Sequence, residues 1–259
     1  MKFRILALFV AIQIASFALW QHTNAAPNFA VPALPSASNI HFSAWDKGSG
    51  RATMDEPKLQ GLITSILSHL PKSHTEAVKS VILDYDPAAG RGLGGKQMII
   101  LRATMEPMEL GGVLIHEVGH DVDLVALHAQ NSQQPSGFKD GDHAIYVGDP
   151  SLDFYRISWS DEKTLGRTAG NLDFVSGYAM QDPFEDFAET YAYYVLHNQD
   201  FKAKVASSSS LYAKYRFMKF RVFDGKEFDA GPRLSKPTDL LARPWDVTVL
   251  PYEMEKVLN

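Results

Sequence analysis

His116 and His120 stand four residues apart in a stretch that opens at Glu106-Pro107 and carries Leu110, Val113, Leu114, Val118 and Val122 at helical spacing. A helix places side chains at i and i+4 on one face, one turn apart. That separation suits two ligands of one tetrahedral zinc ion. Glu117 lies about 100° further round such a helix, where it reaches a water on the ion without ligating it. A metal held by two residues of one helix needs a third ligand from another element. The pattern therefore demands a fold that brings a second segment against this helix.

The chain offers no thiol for that purpose, because it contains no cysteine. The third ligand has to be a histidine or a carboxylate, and no disulfide contributes to stability. Its 259 residues are 45% hydrophobic, enough for a sizeable core. The net charge of −5, from 25 basic and 30 acidic residues, provides no one-signed field for nucleic acid or an anionic membrane. The partner expected is a protein or peptide substrate, with no nucleic acid and no membrane beyond the N-terminal segment.

The N-terminus reads as a targeting segment. Met1-Lys2-Phe3-Arg4 is basic, and Ile5 to Trp20 is apolar except at Gln13 and Ser16, which is short for a span of about 20 residues. Thr23-Asn24-Ala25 then supplies small residues for cleavage. Residues 1–25 are expected to be a signal peptide, leading to secretion or the periplasm; the alternative is an uncleaved membrane anchor. Residues 26–38, with Pro27, Pro32 and Pro35, read as an extended linker. Residues 39–230 are expected to form the domain, and 231–259 a C-terminal tail packed on it.

Within the domain, Asp55-Glu56-Pro57 opens a helix with Leu59, Leu62, Ile63, Ile66, Leu67 and Leu70 on one face, stopped by Pro71. Val78 to Asp84 and Gln97 to Leu101 read as two strands of one sheet, and the Gly-rich Asp86 to Gly95 between them as a flexible loop. Ala129 to Asp142 reads as a polar loop, followed by short extended pieces at Ala144 to Val147 and Phe154 to Trp159. A long helix is expected from Asp182-Pro183 to His197, and an amphipathic one through Leu211, Tyr215, Met218 and Val222. Lys214, Arg216, Lys219 and Arg221 read as its solvated face.

The third ligand has two sources. A histidine six residues after His120 is excluded, because Asp123 and Ala126 occupy the positions that such a pattern fills with Gly and His. A carboxylate on the later helix remains, where Glu185 and Glu189 are one turn apart beside an apolar face of Phe184, Phe187, Ala188, Tyr191 and Val195. Glu185 has a competing role, since Asp182 with Glu185 also fits a capping box. Glu162 and His143 are the fallback ligands. Asp123, one turn after His120, is placed to accept its spare ring N–H.

The run His116-Glu117-Val118-Gly119-His120-Asp121-Val122-Asp123, followed downstream by Tyr178 and by Glu185-Asp186-Phe187-Ala188-Glu189, resembles the anthrax lethal factor-type gluzincin metallopeptidases, which include the Pro-Pro endopeptidases. The resemblance covers roughly residues 97 to 198. It implies that Glu185 is the third ligand of one zinc ion per chain, that Tyr178 stabilises the oxyanion, and that Glu189 is an acid of the outer shell. One departure is Asp186, where the family commonly has an aromatic residue.

The expectation is then an α+β, zincin-type metallopeptidase domain with a small sheet, the HExxH helix and a second helix carrying the Glu ligand. The strand Gln97, Met98, Ile99, Ile100 and Leu101 is expected to run along the cleft as an exposed edge and pair with substrate. The activity expected is that of an exported zinc-dependent endopeptidase in which a metal-activated water attacks the peptide bond, with Glu117 as general base. Two readings from other classes are a non-catalytic zinc-stabilised binding protein on a peptidase scaffold and a metal-free structural protein. Glu117 and Tyr178 argue against the first, because neither is needed merely to hold a metal.

Overall fold

The computed structural model describes residues 40–129, 132–229, 231 and 243–258. The signal peptide expected over 1–25 and the linker expected over 26–38 lie outside the described residues. Among these residues the chain is a mixed α+β structure with a small sheet and several helices. No described helix is long and apolar enough to cross a membrane.

Helix α1, Glu56–His69, starts where Asp55 accepts a hydrogen bond from the Lys58 N–H and Pro57 occupies the first turn. Leu59, Leu62, Ile63, Ile66 and Leu67 are buried, and a short helix α2, Lys72–Thr75, follows Pro71. These helices connect β1, His41–Trp45, to β2, Ser80–Asp84, and the connection is long enough for the two strands to pair parallel.

The expected strand Gln97 to Leu101 is found as β4, Met98–Arg102, but it is not an edge. The sheet order is β1-β2-β4-β3, where β3 is Gly92–Leu93. Parallel β2 flanks β4 on one side, and antiparallel β3 covers Ile100 and Leu101 on the other. The rest of the strand is also committed. Gln97 donates its N–H to Asp121 Oδ1 at 2.9 Å, Met98 donates to the Gly95 carbonyl, and Ile99 and Leu101 are fully buried. The expectation that Gln97, Met98, Ile99, Ile100 and Leu101 present a free edge is therefore corrected. The glycine-rich segment read as a flexible loop folds back along this strand and takes the edge position itself.

Helix α3, Pro107–Asp121, carries His116, Glu117 and His120, and continues into wider turns over Val122–Ala126. The region read as a polar loop contains strand β5, Pro135–Asp140, which forms a hairpin with β6, His143–Tyr146, where the extended piece at Ala144 to Val147 was expected. Asp140 pairs with His143 across a turn in which Gly141 takes a φ of 56°. Phe154 to Trp159, expected as extended, lies mostly in helix α4, Ser151–Ser158. Buried Ser151, Phe154, Tyr155 and Ser158 follow helical spacing, and Asp149 accepts from the Ser151 N–H at its start.

Helix α5, Pro183–Leu196, is buried on nearly every side. Asn198–Lys204 (α6) and Ser209–Phe217 (α7) follow; Ser208 caps α7, which extends through Met218–Val222. The reading of Lys214 as part of a solvated face is overturned. Its side chain is fully buried and its ammonium lies 2.7 Å from Asp186 Oδ2, over the ring of Phe174. Asp186 also accepts from the Trp159 indole N–H at 3.0 Å. The departure at Asp186 thus places a paired charge behind Glu185. A buried pair of this kind is weak support for stability by itself, yet loss of either partner costs about 3–5 kcal/mol.

Candidate metal centre

Helices α3 and α5 cross closely, and the residue that permits it is Gly119. A Cβ at this position would stand 2.9 Å from the Ala188 Cα and 3.2 Å from the Tyr191 Cβ. Any side chain here meets backbone, so the helices would have to separate. The crossing brings the first turn of α5 opposite His116 and His120.

Asp182 caps α5, accepting from the N–H groups of Phe184 and Glu185 at 3.0 and 2.9 Å. Glu185 does not fold back to complete a capping box. Its Oε2 points at the histidines, 3.2 Å from His116 Nε2 and 3.5 Å from His120 Nε2. This oxygen is buried and has no hydrogen-bond partner. Ligand atoms of His116, His120 and Glu185 all lie within 4.8 Å of one another, and they form the group among the described residues that could hold a metal. An unpartnered carboxylate oxygen facing two imidazole nitrogens is a donor set that suits zinc. Neither fallback ligand, Glu162 or His143, belongs to it.

Glu189 meets the other ring nitrogen of His116. Its Oε1 lies 2.9 Å from His116 Nδ1, and its Oε2 accepts from the Val247 N–H at 3.0 Å. His116 is thus approached by a carboxylate at each ring nitrogen. Burial disfavours its imidazolium, but Glu185 and Glu189 outweigh burial and hold its pKa well above the ordinary value. Burial opposes ionisation of Glu185 as well, and His116 and His120 reverse this to hold its carboxyl far below the usual range. The group is electrostatically coupled, as expected where two acids share one face with two imidazoles.

Asp123, expected to accept from His120, is engaged elsewhere. Its Oδ2 accepts from the Tyr155 hydroxyl at 2.6 Å, and its Oδ1 has no hydrogen-bond partner. Burial, only partly offset by Ser151 and Tyr155, pushes its carboxyl up to about 7, and His120 acts on it through its charge.

A cleft of about 290 Å³ opens over these groups. It is lined by His116, Glu117 and His120 from α3, by Tyr178, Asp182, Phe184 and Glu185 around the start of α5, by Leu124, by Asp140 of the hairpin, and by Gly92, Leu93 and Gly94. Tyr178 donates to Glu185 Oε1 at 3.2 Å, and its ring lies 6.0 Å from that of His116. Burial pushes the Glu117 carboxyl up, with His116 and His120 pulling the other way. A raised carboxylate pKa moves an acid towards the range in which a general base works at neutral pH.

The glycine segment is the part of the site that the sequence reading left out. A Cβ on Gly92 would stand 2.2 Å from Glu117 Oε1, and one on Gly94 2.5 Å from the Glu117 carbonyl. These glycines let the sheet edge lie against Glu117. The alternation of Gly90, Gly92 and Gly94 next to a strand was the available signal of close backbone approach. None of residues 97–101 lines the cleft.

Residues 102–241 match the model of a family described as "Putative zinc-binding metallo-peptidase". The match spans more than half of the chain, which belongs to this family. No curated protein and no solved structure matches.

Gly119→Ala tests the helix crossing. Overpacking against a backbone atom is expected to destabilise the fold by about 1–3 kcal/mol, and the displaced α5 should weaken zinc retention. Thermal unfolding with and without added zinc checks both. Wild-type unfolding together with full zinc retention would show that this contact does not set the site.

Proposed function

We propose that this chain is an exported zinc-dependent endopeptidase of the anthrax lethal factor-type gluzincin arrangement, with His116, His120 and Glu185 holding one zinc ion per chain. The observation that carries this reading is the buried, unpartnered Oε2 of Glu185 facing both Nε2 atoms at 3.2 and 3.5 Å. Two contacts support it: Tyr178 donates to Glu185 Oε1, and Glu189 Oε1 lies 2.9 Å from His116 Nδ1. When bound there, zinc supplies Lewis acidity, which polarises a carbonyl and makes a water acidic enough for a carboxylate to deprotonate.

Glu117 takes the proton of the attacking water as its oxygen bonds to the scissile carbonyl carbon. As the C–N bond breaks, Glu117 returns that proton to the leaving amine. The Tyr178 hydroxyl, now on Glu185, turns to donate to the carbonyl oxygen as negative charge collects there. Glu189 keeps His116 oriented by holding its Nδ1, and Val247 in turn holds Glu189. Substrate in extended form is served by the outer edge of Gly92–Leu93, where Leu93 is 61% exposed.

Glu117→Gln should retain zinc and fold while losing at least about 10²-fold in turnover of a peptide library, since only the base is removed. Wild-type turnover would rule out the mechanism, and zinc loss would assign Glu117 a structural role. Glu185→Ala should purify with little zinc by elemental analysis, whereas Glu189→Ala should keep most of it with affinity lowered about 10- to 100-fold. The reverse order would make Glu189 the ligand. Export over residues 1–25 rests on the basic start, the short apolar run and the small residues at Thr23-Asn24-Ala25. N-terminal sequencing of the exported chain should begin at Ala26; a chain still starting at Met1 would mean an anchor.

A further inference from the structure

Two segments outside the family-matched residues 102–241 meet at the site. One is Arg91, immediately before the edge strand. The other is the stretch 244–248. Arg91 is ion-paired through Nη2 to Asp246 Oδ2, and its Nη1 donates to Thr248 Oγ1 at 2.9 Å. Asp246 Oδ1 accepts from both the N–H and the hydroxyl of Thr248, at 2.7 and 2.6 Å, which closes a turn over Val247–Val249. That turn presents the Val247 N–H to Glu189 Oε2 at 3.0 Å in a buried setting.

The same stretch meets the tyrosine. The carbonyls of Pro244 and Trp245 accept from the N–H groups of Gly177 and Tyr178 at 2.8 and 2.6 Å. Trp245 also lies against Gly177, where a Cβ would stand 2.6 Å from its ring. A carboxylate such as Glu189 has two oxygens to satisfy when buried, and it can hold His116 in one orientation only if its other oxygen is fixed.

We propose that residues 244–248, tied down by Arg91, form a strap that positions Glu189 and through it His116, so that zinc affinity depends on the Val247 N–H. This rests on the zinc-peptidase reading above. The relay runs from the Arg91–Asp246 pair to the turn, from the turn to Glu189, and from Glu189 to Nδ1 of His116. Arg91 and Asp246 are positioning residues here, since neither touches the metal ligands.

The test compares two substitutions at one position in the full chain. Val247→Pro removes the N–H at the first residue of a helical turn, where proline fits, and Asp246 already has a ψ of 133°, which suits a residue before proline. Val247→Ala keeps the N–H and removes more of the buried side chain. Zinc dissociation constants are measured by competition with a chromophoric chelator, and folding by circular dichroism. Val247→Pro should bind zinc about tenfold or more weakly than Val247→Ala, the cost of losing an outer-shell partner. Equal affinities overturn the strap.

If Val247→Pro fails to fold, Arg91→Gln and Arg91→Lys decide. Gln should weaken zinc binding severalfold relative to Lys, which keeps a cation against Asp246, and equal values overturn the proposal. Wild-type protein that binds no zinc removes the zinc-peptidase reading itself, an outcome distinct from wild-type protein that binds zinc with all variants alike.

Discussion

The close crossing of α3 and α5 governs the geometry of everything else in the molecule's centre. Two helices with side chains of ordinary size stand about 8–10 Å apart, and the glycine in the middle of the histidine pair lets these two approach until a Cβ would touch the Ala188 backbone. At that distance one turn of α5 delivers two carboxylates to a single imidazole, Glu185 at Nε2 and Glu189 at Nδ1. The first turn of α5 is pinned from behind by Asp186, Lys214 and Trp159, and from its N-terminus by Asp182. Glu185 is thus fixed by contacts on both sides of its own position in the chain.

How much of this was legible depended on the range of the interactions. The helices declared themselves through local chemistry: Pro57, Pro107 and Pro183 each stand in a first turn, and Asp55 and Asp182 cap theirs as an acid before a proline should. His116, Glu117 and His120 could be read from one helical period and the Glu185/Glu189 pair from another, while Tyr178 and the choice of Glu185 over Glu189 came from the resemblance. All of them meet around one cleft, with Glu189 behind His116.

What sequence could not supply was pairing between distant segments. Lys214 lies on a helix with other basic residues and reads as solvated, until α7 is packed against Asp186. Phe154 looks extended beside aromatic neighbours, whereas its burial partner Phe187 comes from α5. Strand order is non-local too: Gly92–Leu93 takes the edge because the chain doubles back there, and no pattern within Gln97 to Leu101 records that. Arg91 and Asp246 are a charge pair whose members stand 155 positions apart in the chain, with nothing local to join them.

The absence of cysteine acquires a different meaning once the site is in view. A secreted domain usually secures distant segments with disulfides, whose integrity follows the redox state of the surroundings. Here His116, His120 and Glu185 are a group that could hold a metal, and an ion bound there would cross-link α3 and α5. Its contribution to stability follows mass action, about 2.7 kcal/mol at a hundred times the dissociation constant. A fold tightened in this way would be indifferent to reductants and would respond to metal supply and acidity, so that for the exported enzyme proposed above the mineral content of the compartment would take the place of its oxidising power.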